Sequence, residues 1–220
     1  MEASVTTQFV ILALHQENGR IMIDNLHIRY ALVGSVLMDF LEKEEISLKN
    51  KRLIHTFIKT GENVHDKLSE IIERSKKPRR ISYWLHRLSM KSRFIFRETT
   101  GSLINKGIIR HERRLFLNLF PYNRYFINER GVRSGIIDGI RDVLLHDKSA
   151  NGRQIKLIGL ITASRAWHIF VREKGERRLI RRKCQEFMKA NEVNSDIDQV
   201  IREIQAAIAS SITAAAVATG

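Results

Sequence analysis

The 220-residue chain carries 38 Lys and Arg against 24 Asp and Glu, a formal charge of +14 at pH 7, with 43% hydrophobic residues. That length and apolar content support a folded chain with a sizeable core and exclude wholesale disorder. The one cysteine, Cys184, excludes an intramolecular disulfide and any multi-cysteine metal site, and the positive excess points to phosphate-bearing partners, either nucleic acid or an anionic membrane.

The first residues, Met1 to Thr7, show no basic stretch leading into an apolar one, so no secretory signal is expected. Thr6 is placed to cap a helix through Leu14, followed by the turn Asn18-Gly19. Asp24 or Asn25 caps a second helix to about Lys43, with Leu26, Ala31/Leu32, Val36/Leu37 and Phe40/Leu41 at helical spacing. Glu45–His55 reads as two short strands around Lys49-Asn50-Lys51. Asn63 to Arg74 is amphipathic, and a basic linker, Lys76-Lys77-Pro78-Arg79-Arg80, precedes a helix bearing Tyr83, Trp84, Arg87 and Leu88.

A helix from about Ser92 to Lys106 closes at Gly107, suited to a left-handed C-terminal cap. Residues 108–127 then alternate as a β-hairpin, with the loop expected at Pro121-Tyr122-Asn123-Arg124. Helices over about 128–146, 153–170, 174–190 and 196–218 complete the chain. The Ala-rich end, Ala206 to Ala218, is too short and too weakly apolar to span a bilayer. The reading is a mainly α fold: one globular helical domain over 1–220, with short strands and a protruding β-hairpin.

Nothing points to catalysis. The eight histidines share no metal-ligand spacing with one another or with Cys184, and phosphate-cradling, dinucleotide and nucleophile-elbow motifs are absent. A non-enzyme without cofactor or metal is expected. Charge is concentrated in two places. In the run Arg172 to Lys183, helical spacing puts Lys174, Arg177, Arg178 and Arg181 on one face, with Ile180, Cys184 and Phe187 elsewhere; the bland reading is a solvated face partly neutralised by Glu173 and Glu176. The other set is Arg79, Arg80, Arg87, Lys91, Arg93 and Arg97, interleaved with Tyr83, Trp84, Phe94 and Phe96. Arg93 and Arg97, at i and i+4, can fork around one phosphate. A helix followed by a hairpin over 92–127 also has the order of a winged helix, which gives the alternative reading of a nucleic-acid-binding protein.

Several elements occur in an order that resembles the Golgi phosphoprotein 3 family. They are Phe9 to Leu14 followed by Gly19, Tyr30 to Leu41 followed by Glu45-Ile46-Ser47-Leu48, Thr60-Gly61 to Leu68, and Leu103-Ile104-Asn105-Lys106-Gly107-Ile108-Ile109 before the hairpin. The resemblance implies a mainly helical domain around a buried core helix. It also implies a hairpin, 108–127, that mediates homo-oligomers, binding to phosphatidylinositol 4-phosphate, and an adaptor role toward membrane-protein tails. The family's headgroup pocket uses a Trp and an Arg near the second helix and two Arg before the hairpin. Aligned without gaps, the first two positions hold Asp24 and Val33, Arg93 matches one later Arg, and the other falls on Phe96 beside Arg97. The expectation is a cytoplasmic, peripherally membrane-associated protein that binds anionic lipid headgroups through Arg93, Arg97 and the wider basic surface.

Overall fold

The structure is a computed structural model that describes residues 3–56, 60–75, 77–117, 119–171, 173–190 and 195–218. Lys76 of the basic linker, Asn118 of the hairpin and Arg172 of the charge run lie outside the described residues.

Helix α1 (Val5–Ala13) is mostly apolar, and all but Thr7 and Gln8 of it is buried. Its cap is Ser4 rather than Thr6: the Ser4 hydroxyl accepts from the Thr7 amide at 3.2 Å, and Thr6 sits buried in the first turn. Two further orphan amides of that turn, Val5 and Thr6, donate to the buried Asp39 carboxylate at 2.8 and 3.1 Å. Asp39 belongs to helix α2 (Asn25–Glu42), capped by Asp24, which accepts from the Leu26 and His27 amides. Every residue from Tyr30 to Phe40 is buried, so α2 is enclosed on all sides as the central helix.

Strands β1 (Ile46–Lys49) and β2 (Arg52–His55) pair through a two-residue turn, Asn50-Lys51, with φ of 52° and 61°. The linker expected at 76–80 contributes a third strand, β3 (Arg79–Arg80), because extended backbone after Pro78 satisfies the free edge of β2 at Arg52 and Leu53.

Helices α3 (Asn63–Glu73), α4 (Ile81–Ser89) and α5 (Ser92–Asn105) follow. Gly107, at φ 70°, closes α5: its amide donates to Ile104, and the Ile108 amide reaches back to Leu103. The hairpin consists of β4 (Ile109–Phe116) and β5 (Phe120–Ile127). Its turn is not at Pro121–Arg124, which lie within β5, but four residues earlier, beginning at Leu117, which takes φ 51° just beyond the Phe116–Phe120 pair. Pro121 fits a strand here because each strand of a two-stranded ribbon is also an edge and needs no second set of amide donors.

Helix α6 (Arg130–Leu145) precedes α7 (Gly152–Ala163). The helix expected to 170 stops at Ala163, because Arg165 turns left-handed at φ 52° before a 3₁₀ turn at Trp167–Phe170. Another 3₁₀ turn, Lys174–Glu176, leads into α8 (Arg177–Ala190), and α9 (Ser195–Ala218) ends the fold. Among the described residues the chain is therefore mainly α, with nine α-helices and two small antiparallel sheets.

Helix α9 lies against α2, α4 and α7 and buries Val200, Ile201, Ile204, Ala207 and Ile208. It seats closely because two glycines face it. A Cβ at Gly34 of α2 would fall 2.2 Å from Ile204 Cδ1, and one at Gly159 of α7 would fall 2.3 Å from Ile201 Cδ1. Tyr30 ties the helix down further, with its hydroxyl 2.9 Å from Ser211 Oγ and 3.0 Å from His86 Nδ1.

Candidate anion-binding surface

The residues expected to meet an anion stand on the outer face of α5. Ile95, Thr99 and Leu103 turn that helix inward, which leaves Arg93 and Arg97 exposed one turn apart. Arg93 has no partner among the described residues. Arg97 pairs with Glu98 at 2.9 Å and lies 5.6 Å from the Phe94 ring centre, so its charge is half-committed. At the α4–α5 junction Met90 is 79% exposed, with the exposed Arg87, Lys91 and Arg93 around it in sequence. Of the interleaved aromatics only Trp84 is fully buried, while Tyr83 is exposed and holds Arg79 at 5.3 Å from its ring centre.

The other headgroup positions hold no free cation. Val33 is completely buried in α2. Asp24 is occupied as a helix cap and pairs with His27 at 2.6 Å; burial raises its carboxyl, but the bonds from His27 outweigh that and leave it below the ordinary range. Phe96 does not face solvent as a ligand: it packs edge-on against Tyr125 of β5 at 5.3 Å. The Tyr125 amide in turn donates to Gly19 at 2.9 Å, so the Asn18-Gly19 turn and α5 together root the hairpin.

The hairpin shows a pattern that the misplaced turn concealed in the sequence. Leu115, Leu117, Leu119 and Phe120, at its tip, are 55%, 71%, 73% and 62% exposed. Below them the stem carries Arg110, Arg113, Arg114 and Arg124 against Glu112. Arg114 bonds one oxygen of Glu112 at 2.7 Å and Arg110 the other at 3.2 Å, which holds that carboxyl below its usual range. Arg110 and Arg114 also lie over the Phe126 ring at 4.6 and 5.1 Å, and Arg124 over Tyr122 at 4.5 Å. The guanidinium groups are thus spread along aromatic faces, while Arg113 has no partner among the described residues. The sequence signal for this site is Leu-x-Leu-x-Leu-Phe beside basic strands.

Helix α8 carries a separate basic face. Arg177, Arg178, Arg181 and Arg182 are exposed, while Ile180 and Cys184 are buried as expected; Arg181 lies 5.2 Å from the Trp167 ring centre and Arg182 pairs with Glu186 at 3.5 Å. Among the described residues no three or more His, Cys, Asp or Glu side chains are grouped to hold a metal, and no helix is long and apolar enough to cross a membrane.

Compared with known proteins, residues 6–208 match the sequence model of the family described as Golgi phosphoprotein 3 (GPP34). No curated protein matches the chain.

Proposed function

The chain belongs to the Golgi phosphoprotein 3 (GPP34) family, and from that premise we propose that it associates peripherally with the cytoplasmic face of an anionic membrane, without catalysis. The observation that carries the reading is the exposed apolar tip, Leu115, Leu117, Leu119 and Phe120, on a stem rich in arginine. An apolar wedge above a ring of cations matches the order of acyl chains and headgroup phosphates met on entering a bilayer. Arg93, Arg97, Lys91 and the exposed Met90 supply a second contact of the same chemistry.

With Val33 buried and Asp24 negative, the reading favours attraction to anionic headgroups in general over a pocket for phosphatidylinositol 4-phosphate. Each surface cation near an anionic leaflet contributes about 1 kcal/mol. Losing Arg93 and Arg97 together therefore lowers partitioning by roughly tenfold to thirtyfold. Once on the surface, the protein is available to membrane-protein tails, the partners that the family resemblance implies.

The test is co-sedimentation with vesicles of phosphatidylcholine alone and with added phosphatidylglycerol or phosphatidylinositol 4-phosphate. Binding is expected on the anionic vesicles at low salt, with release at high salt. It should weaken in Arg93→Ala/Arg97→Ala and in Leu117→Asp/Leu119→Asp. Failure to bind any anionic vesicle at low salt defeats the proposal. A second copy of the chain is the other candidate for the hairpin tip: self-association that Leu117→Asp/Leu119→Asp abolishes, without any loss of vesicle binding, would assign the tip to an oligomer. Tight duplex DNA binding with a steep salt slope and no vesicle binding would favour the α5–hairpin segment as a nucleic-acid reader.

A further inference from the structure

A cleft of about 530 Å³ opens between the C-terminal end of α2, α6 and the first turns of α7, on elements other than α5 and the hairpin. Three charged side chains line it: Glu42, Arg153 and Lys156. Lys156 is only 7% exposed, and its ammonium reaches Glu42 Oε2 at 2.7 Å, while Arg153 reaches the other oxygen of the same carboxylate at 3.4 Å. Two cations on one carboxylate leave the cleft a net positive charge. An ammonium has three N–H donors, and Lys156 uses one of them, on Glu42. A buried cation with donor capacity left over is costly unless an acceptor meets it.

The end of α7 does not supply the site, because Asn151 already takes the Arg153 and Gln154 amides in a capping box. Apolar side chains also line the cleft: Val132 and Ile136 on α6 and Leu157 on α7. On α6, Gly135 leaves the helix backbone bare, since a Cβ there would meet nothing within 4 Å, whereas the Gly139 carbonyl accepts from Gln154 Nε2 at 3.0 Å. The volume falls within the range, about 300–1,000 Å³, of small-molecule sites and far exceeds that of a lone inorganic anion.

We propose that this cleft binds an organic monoanion, with its carboxylate or phosphate head on Lys156 and Arg153 and its apolar body against Val132, Ile136 and Leu157. Such a head can arrive on a free metabolite or on a lipid. The test is calorimetric titration of the full chain with octanoate, with octanol and inorganic phosphate as body-alone and head-alone controls. Octanoate should bind, and the two controls should bind more weakly or not at all.

Gly135→Leu fills the open space on a helix that tolerates leucine, so it should keep the circular dichroism and melting temperature while weakening octanoate binding by about tenfold or more. Lys156→Met should weaken it comparably. No octanoate binding by the wild type, or unchanged binding in Gly135→Leu, overturns the proposal. If Gly135→Leu leaves vesicle binding intact, the ligand is a free anion; if vesicle binding falls with octanoate binding, it is a lipid head. Because no cleft residue belongs to α5 or the hairpin, failure here leaves the membrane reading standing, and the reverse holds too.

Discussion

Gly34→Ala is the sharpest test of how the last helix is seated. A Cβ there would lie 2.2 Å from Ile204 Cδ1 and 3.0 Å from Cγ1, and Ile204 is completely buried, so its side chain has nowhere to swing. Overpacking of this kind costs roughly 1–3 kcal/mol. Against it stands the intrinsic gain of alanine over glycine in a helix, about 1 kcal/mol. The net loss should be about 0–2 kcal/mol. Ile204→Val alone removes a buried methyl group and should cost roughly 0.5–1.5 kcal/mol. In the double variant the Cδ1 atom responsible for the overlap is gone, so the propensity gain is recovered and the two losses do not add. The expected coupling is at least about 1 kcal/mol in favour of the double variant. Urea unfolding followed by tryptophan fluorescence gives the four stabilities, because Trp84, only 1% exposed, sits on α4 beside α9. Losses that add to within about 0.5 kcal/mol, or a Gly34→Ala protein more stable than wild type, would refute the account of α9 resting on bare glycine.

Two further outcomes are expected. The hydrogen bond from Lys156, assisted by Arg153, holds the Glu42 carboxyl below its ordinary value of 4.5. A lowered folded-state value means that the contribution is present above pH 4.5 and is lost as pH falls through the folded value. Glu42→Gln should therefore be less stable than wild type at pH 7 and show a shallower loss between pH 4.5 and acid, measured as urea midpoints; parallel curves would contradict the pairing. Burial pushes the Cys184 thiol up to about 12. A maleimide should accordingly modify it only as fast as the protein unfolds, and rapid labelling of native protein at pH 7 would show that α8 is not packed as described.

Periodicity and caps made the helices legible: Asp24, the run from Tyr30 to Phe40 and the stop at Gly107 all stand where their residue types require. Where the reading strayed, a tertiary contact outweighed a local preference. Pro121 looked like a turn residue but is tolerated in an edge strand, so the turn fell on the leucines instead. Arg79 and Arg80 looked like linker but complete the edge of β2. Arg165 has no local reason to turn left-handed, so the early end of α7 was hidden. Of the candidate site, Arg93 and Arg97 were visible as a helical pair. The role of Phe96 against Tyr125 depends on how the hairpin folds back, which spacing does not encode. Lys156 carries its own signal: a lysine within the otherwise apolar Ile155–Ile161 segment has to find a carboxylate, but its partner Glu42 is far away in the chain.

The seating of α9 also bears on the order of events as the chain is synthesised. Gly34 and Ile204 meet although they lie far apart in the chain, so α2, α4 and α7 leave the ribosome before the helix that covers them. Until that helix arrives, the nascent protein carries an open apolar trough floored by two glycines. It can close only once α9 has been made and released, which makes this trough the surface that a chaperone, or a neighbouring nascent chain, meets first.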